Sequence, residues 1–235
     1  MENYEKETIA AIATALSDSG IGIVRISGEN AIYIVDSIFR SASGKKILTK
    51  VQSHMIHYGY IVDKDENIID EVMTSVMKAP KSYTMEDTVE INCHGGVLVM
   101  QKVLETVLQA GARLAEPGEF TKRAFLNGRI DLSRAEAVID VIHSQNEYAL
   151  SSSVSQLKGR LSDKIRSLRE DILYQIAFIE SALDDPEHIS LEGYPEQLAE
   201  KVTGFEKEIQ KLLATADNGR LMKEGISTVI VGKPN

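Results

Sequence analysis

The sequence is short of cysteine, of long apolar runs and of positive charge, and each shortage excludes a class of protein. Its one cysteine, Cys93, cannot form a disulfide within the chain, which suits the reducing cytoplasm. No apolar run approaches the length of a membrane span, and the first residues lack the basic-then-apolar order of a secretory signal. The formal net charge is −9, so bulk electrostatics argue against a nucleic-acid binder.

The composition is that of a soluble globular protein, with 43% hydrophobic and 26% charged residues among 235. This length allows one large domain or two ordinary ones. Up to about residue 117, strand patterns and helix patterns mix without strict alternation. This mixture predicts an α+β domain rather than a doubly wound parallel sheet.

Apolar spacing predicts several elements in this first part. They are a first strand within residues 8–18, a second strand at 23–28, a helix over 27–40, and a hairpin of 54–62 and 68–77. Arg25 lies inside the second strand. Its charged side chain would face either water, from an exposed edge of the sheet, or a buried acceptor, and the exposed edge is the ordinary expectation. His54 and His57 lie in the hairpin without a ligand cluster at metal spacing, so we expect structural roles for both.

The stretch from Glu90 to Gly96 predicts a strand end followed by the start of a helix. Gly95 and Gly96 would let the backbone turn sharply and would leave the first helical amides free for an anion. Glu90 would lie at the mouth of this turn, where its carboxylate could accept two parallel N–H donors from a heterocycle. The alternative is a plain strand-turn-helix corner with a solvated glutamate.

From residue 117 onwards the pattern is helical. We predict a short helix over 119–127, and Ser133 to Glu136 has the spacing of a capping box. A stripe of apolar residues from Leu150 to Leu183 predicts one helix of about ten turns. A further helix over 195–216 would end at Asn218 and Gly219, and long antiparallel helices of this kind form a bundle.

The last ten residues differ from the bundle. Residues 226–231 predict a buried strand, and Gly232-Lys233-Pro234-Asn235 follows. A strand followed by glycine is how a phosphate-binding loop begins, although the full motif needs four more residues. We therefore expect the sequence to stop inside a nucleotide-binding domain.

Four segments together resemble one family, the tRNA modification GTPases called MnmE or TrmE. They are Gly22-Ile23-Val24-Arg25-Ile26-Ser27-Gly28, Glu90 to Gly96, the block from Pro117 to Leu132, and Val231 to Asn235. The segments occur in family order. The resemblance implies three parts: a tetrahydrofolate-binding-like α+β domain at 1–117, a helical domain at 118–220, and the first strand of a truncated α/β GTPase domain at 221–235.

The resemblance also implies a function. The parent protein would be a GTPase that works with the flavoprotein MnmG to build a carboxymethylaminomethyl or aminomethyl group at C5 of the wobble uridine of tRNA. A reduced folate such as 5-formyl-tetrahydrofolate would carry the one-carbon unit, and potassium and magnesium would act with GTP. This segment would bind folate and form a homodimer through its N-terminal domain, in the cytoplasm.

Carried over position by position, the family's folate contacts fall on Arg25, Glu90 and Arg129, and its first GTP and potassium contact falls on Asn235. Cys93 does not match the family's functional thiol and is expected to pack. The family's bundle needs C-terminal helices that this sequence lacks, so we expect an exposed apolar seam along 150–183, or domain swapping that covers it.

Two other functions stay open. The segment could be a non-enzymatic dimerisation and helical scaffold with a vestigial pocket. It could also be a stand-alone enzyme of the aminomethyltransferase type, although the long bundle and the terminal strand disfavour that interpretation.

Overall fold

A computed structural model describes residues 7–224 together with 229, 231 and 232. The chain forms two compact units, Met1–Ile130 and Asp131–Asn235, which we call the sheet unit and the helical unit. The α+β class is confirmed, with the sheet first and the helices after it. The predicted functional division at 117 and 220 stays a prediction. The boundary between the two compact units follows Ile130.

The sheet unit is built on seven strands in the order β3-β4-β5-β6-β2-β1-β7. The strands are β1 Ile9–Ile12, β2 Ser19–Ser27, β3 Phe39–Ser41, β4 Met55–Val62, β5 Ile68–Met77, β6 Thr88–Gly95 and β7 Arg113–Leu114. Neighbours run antiparallel except β1 and β7, which are parallel. The predicted hairpin is β4 and β5, and Asp63 closes its turn by accepting from the amides of Asp65 and Asn67.

One face of this sheet carries the core. Helices α1 (Ala31–Ile38) and α2 (Val97–Gln109) bury their apolar sides together with alternate residues of β2, β5 and β6. Val24, Ile91 and Met100 are fully buried there. Helix α1 is shorter than the predicted 27–40, because Phe39 takes an extended backbone and begins β3.

The helical unit contains α4 Leu132–His143, α5 Glu147–Leu157, α6 Arg160–Asp184 and α7 Tyr194–Glu224, whereas α3 Glu119–Leu126 belongs to the sheet unit. The prediction of one helix along 150–183 was wrong. Gly159 has a φ of +88° and separates α5 from α6, a left-handed conformation that glycine adopts without strain. The predicted stop at Asn218 was also wrong, since α7 continues to Glu224.

The expected apolar seam is present. Ile165, Ile172 and Ile176 of α6 are 54%, 42% and 46% exposed. A groove of about 550 Å³ runs between α6 and α7, and apolar side chains such as Leu168 line most of it. Within the described residues, no helix combines the length and apolar character that crossing a bilayer requires. Of the strand predicted at 226–231, most lies outside the described residues.

The predicted junction of a strand and a helix at Gly95 and Gly96 is confirmed, but the predicted reason for the two glycines was wrong. Gly96 is the N-cap of α2 with a φ of −69° and a ψ of 136°, a conformation open to any residue. Gly95 belongs to β6, and a Cβ there would overlap the backbone of Ser19 on β2. The glycine required at this corner is therefore Gly95, and the reason is a close approach of two strands.

The predicted capping box was also wrong. Helix α4 begins at Leu132, and the side chain of Asp131 accepts from the amide of Arg134 at 3.0 Å. Glu136, which the capping box assigned to the reciprocal bond, is exposed. Asp131 is therefore the N-cap of α4, the role that the capping box assigned to Ser133.

We predict that Gly95→Ala destabilises the sheet unit by about 1–3 kcal/mol, because the added methyl group overpacks against Ser19. Gly96→Ala is the matched control. It changes only the identity of an N-cap residue, and it should cost less than about 1 kcal/mol. Urea unfolding of both variants measures the difference, and equal losses would contradict the close-approach explanation.

We predict that Asp131→Ala destabilises the helical unit by about 1 kcal/mol, whereas Glu136→Ala changes its stability by less than about 0.5 kcal/mol. Asp131→Asn keeps an acceptor and should restore most of the loss. Amide hydrogen exchange at residues 132–136 locates the effect. Faster exchange after Glu136→Ala than after Asp131→Ala would favour the capping box instead.

Candidate functional site

Arg25 and Glu90 lie directly opposite each other on neighbouring strands. The register of β2 and β6 pairs these two residues, and Arg25 Nε donates to Glu90 Oε1 at 2.7 Å. Their side chains are 30% and 22% exposed. Because Val24, Ile26, Val89 and Ile91 point into the core, alternation turns Arg25 and Glu90 to the other face of the sheet.

Arg129 reaches the same place from the segment after α3. Its Cζ lies 4.8 Å from the centre of the Tyr83 ring, and Arg25 Cζ lies 5.7 Å from the same centre. The ring of Phe120 is also 5.7 Å from Arg25 Cζ. The three sequence-predicted residues are thus brought together around Tyr83, within the sheet unit.

The predicted position of Glu90 at the mouth of the turn before α2 was wrong. Glu90 lies inside β6, whose last residue is Gly95, and five residues of strand span about 17 Å. Its side chain points to the face opposite α2. The surroundings of Glu90 are therefore the loop of residues 78–87 and helix α3, not the free amides of α2.

Helix α3 and its C-cap residue hold the 78–87 loop at Tyr83 and at Thr84. The Tyr83 hydroxyl and Thr121 Oγ1 are 3.0 Å apart, within hydrogen-bond distance. Asn127 Nδ2 donates to the carbonyl of Thr84 at 2.7 Å, and the buried Thr84 hydroxyl lies 2.6 Å from that of Ser27. These bonds position the Tyr83 ring.

A buried ion network fastens α3 to the sheet. Arg123, only 5% exposed, donates to both carboxylate oxygens of Glu86 at 3.1 and 3.2 Å, and to Glu119 at 3.0 Å. It also donates to the backbone carbonyl of Glu7 at 2.8 Å. Glu119 accepts from Arg113 at 2.7 Å as well. This network explains why α3 folds with the sheet unit and not with the bundle.

Glu119 is the carboxylate whose ionisation this network controls. Burial alone would raise its pKa, but hydrogen bonds from Arg113, from the amide of Glu116 and from Arg123 outweigh burial. Together they lower the pKa of Glu119 to about 2. The carboxylate is therefore charged at all pH values near neutrality.

The arrangement around Tyr83 suits a planar, anionic ligand. Glu90 supplies an acceptor, Arg25 supplies donors beside it, and the exposed Arg129 supplies a second cation. Sequence reasoning missed Tyr83, Phe120 and the Glu86–Arg123 pair. The signal available was the i, i+4 spacing of Glu119 and Arg123, which places opposite charges on one side of α3.

The remaining candidate residues have plainer roles. Burial raises the pKa of the Cys93 thiol to about 11, and its Sγ lies 3.4 Å from the carbonyl of Gly22, so Cys93 packs as expected. Within the part of the chain that the structure describes, no group of three His, Cys, Asp or Glu residues could hold a metal ion. Asn235 lies outside the described residues.

We predict that Glu119→Gln lowers the free energy of unfolding of the sheet unit by about 1–3 kcal/mol at pH 7. The pKa of Glu119 is about 2 in the folded protein, below the ordinary value of 4.5. The charged carboxylate therefore stabilises the fold in full at pH values above 4.5. Wild type loses this stabilisation as pH falls from about 5 towards 2, so the difference between wild type and variant should narrow there.

Unfolding measured at pH 7 and at pH 3 tests this, with the exposed Glu105→Gln as the control. A difference that stays constant between the two pH values would contradict an ionic role for Glu119.

Comparison with known proteins gives a consistent result along the chain. Residues 8–129 match the family described as the GTP-binding protein TrmE N-terminus, and residues 132–229 match the MnmE helical domain. Proteins named tRNA modification GTPase MnmE are similar to 97–98% of this chain, with 62% identity in Lachnoclostridium phytofermentans, 51% in Bacillus subtilis and 53% in Geobacillus kaustophilus.

The chain spans about half the length of the curated relatives it matches, since it covers 50% of each. The two family matches divide between residues 129 and 132, and the boundary along the chain between the sheet unit and the helical unit lies in the same place. On these matches, the chain belongs to the MnmE family of tRNA modification GTPases.

Proposed function

We propose that the sheet unit binds a reduced folate such as 5-formyl-tetrahydrofolate, as part of a GTPase that modifies tRNA. The observation that carries this proposal is the meeting of Arg25, Glu90 and Arg129 around one aromatic ring. These residues are far apart in sequence and lie on separate elements. Their donor and acceptor groups match the chemistry of a folate.

A folate offers two parts to such a site. Its pterin edge carries adjacent amino and ring N–H donors, which a carboxylate such as Glu90 can bind in parallel. Its glutamate tail carries carboxylates, which suit a guanidinium. Glu90 Oε1 already accepts a hydrogen bond from Arg25 Nε, so Oε2 would accept the first hydrogen bond from the ligand.

The activity that we propose for the whole protein follows from the family. GTP hydrolysis, with potassium and magnesium, would accompany the addition of a carboxymethylaminomethyl or aminomethyl group at C5 of the wobble uridine of tRNA, together with the flavoprotein MnmG. The folate bound here would supply the one-carbon unit. Asn235 would be the first residue of the GTP site.

We also propose that the sheet unit forms a homodimer. The face of the sheet opposite α1 and α2 carries exposed apolar side chains, including Ile56, Tyr58 and Met73, which are 64%, 50% and 46% exposed. A second copy would remove this surface from water.

The exposed seam on α6 favours the other candidate, a helical scaffold with a vestigial pocket, because scaffolds present such surfaces to partners.

We predict that Glu90→Gln weakens binding of 5-formyl-tetrahydrofolate to the full-length protein about 10- to 100-fold, since a charged hydrogen bond contributes about 1.5–3 kcal/mol. Glu105→Gln on the other side of the sheet is the control and should leave the affinity unchanged. Isothermal titration calorimetry measures both. Equal affinity for Glu90→Gln and wild type would refute the site, and a stable wild-type dimer without folate binding would support the scaffold instead.

A further inference from the structure

The two guanidinium groups of the candidate site share a single aromatic ring. Arg129 Cζ is 4.8 Å and Arg25 Cζ is 5.7 Å from the centre of Tyr83, both within the distance of a cation–π interaction. Arg25 has a second anchor, because its Nε donates to Glu90. Its position is therefore set by the sheet as well as by Tyr83.

Arg129 has no such second anchor within the described residues. Its guanidinium is exposed and forms no hydrogen bond or ion pair with a described residue, and its contact is the ring of Tyr83. A long, unanchored side chain samples many rotamers, and ordering it on binding opposes affinity. The ring restricts this freedom before a ligand arrives.

The ring is itself held in place. Thr121 bonds its hydroxyl, Asn127 bonds the carbonyl of the next residue, and Arg123 pairs with Glu86 further along the loop. These three partners all lie on α3 or at its C-terminal end. Displacing the Tyr83 ring by rotation about χ1 would break the bond between its hydroxyl and Thr121.

We propose that Tyr83 is a positioning residue that holds Arg129 ready for the carboxylate tail of the ligand, while Glu90 and Arg25 receive the pterin edge. This inference rests on the proposed folate binding and assigns the parts of the ligand to the two sides of the ring. Arg25 keeps its bond to Glu90 without the ring, whereas Arg129 keeps no comparable bond to a described residue, so the effect of Tyr83 is larger for ligands that carry the tail.

The experiment compares two ligands in the full-length protein. One is 5-formyl-tetrahydrofolate, and the other is 6-methyltetrahydropterin, which has the pterin edge but no glutamate tail. Tyr83→Leu should weaken folate binding about 5- to 10-fold, from the loss of about 1–1.4 kcal/mol of cation–π attraction. The same variant should change pterin binding less than about twofold. Tyr83→Phe keeps the ring but loses the bond to Thr121, so it should weaken folate binding less than Tyr83→Leu does and change pterin binding less than about twofold.

A double-mutant cycle separates positioning from a general structural role. In the Arg129→Gln background, Tyr83→Leu should have little further effect on folate affinity, because the group that it positions is already absent. Tyr33→Leu, an exposed tyrosine on α1, is the control. If Tyr83→Leu lowers the melting temperature, Tyr83→Met keeps more of the side-chain length without the ring.

The outcomes distinguish the two proposals. Absence of folate binding to wild type would overturn the proposed function and this inference with it. Folate binding by wild type with equal affinity for Tyr83→Leu would overturn the positioning role alone. Equal losses for folate and pterin, or additive losses in the cycle, would overturn the assignment of the tail to Arg129.

Discussion

Arg123 is a cation that folding removes from water, and the candidate site depends on how its charge is compensated. A buried guanidinium costs several kcal/mol unless carboxylates and carbonyls surround it. Glu86 from the 78–87 loop, Glu119 from α3 and the carbonyl of Glu7 before β1 provide that surrounding. The Arg123 side chain thus binds a loop, a helix and the segment before a strand. Because Tyr83 lies in that loop, its position depends on Arg123.

Much of the sheet was predictable because two-residue alternation survives in its strands. The hairpin of β4 and β5 came from this pattern, and so could the face of Glu90, which lies between the buried Val89 and Ile91. What the pattern does not contain is the distance between strands. The need for Gly95 depends on the approach of Ser19, which is distant in sequence, so a local conformational explanation was wrong.

In the helices, apolar spacing alone does not show where one helix ends and the next begins. Leu157 and Leu161 are four residues apart, and that spacing is the same whether one helix continues or a second begins. Gly159 between them was the available signal, but glycine is tolerated inside helices often enough that apolar spacing outweighed it. Asp131 was missed because Ser133 offered a familiar spacing two residues later, although the helix begins at Leu132.

The candidate site was predictable in part and for a different reason. Glu90 came first from the local pattern, whereas the set of Arg25, Glu90 and Arg129 came from resemblance to a family. The structure brings these residues together, but their binding of folate remains a proposal. Tyr83 was missed because it lies in a loop, where side chains follow no periodicity and only tertiary contacts decide their direction.

The charges of the site explain why Arg129 matters more than its exposure indicates. The chain carries a net charge of −9, which opposes an anionic ligand at long range. At physiological salt that field is screened beyond about 8 Å, so the nearest groups decide. Arg25 and Glu90 compensate each other at 2.7 Å, which leaves Arg129 as the uncompensated charge of the three. An anion would therefore be attracted to the Arg129 guanidinium. Because the Tyr83 ring restricts that side chain before binding, less conformational entropy is lost when the ligand binds, and the affinity is higher.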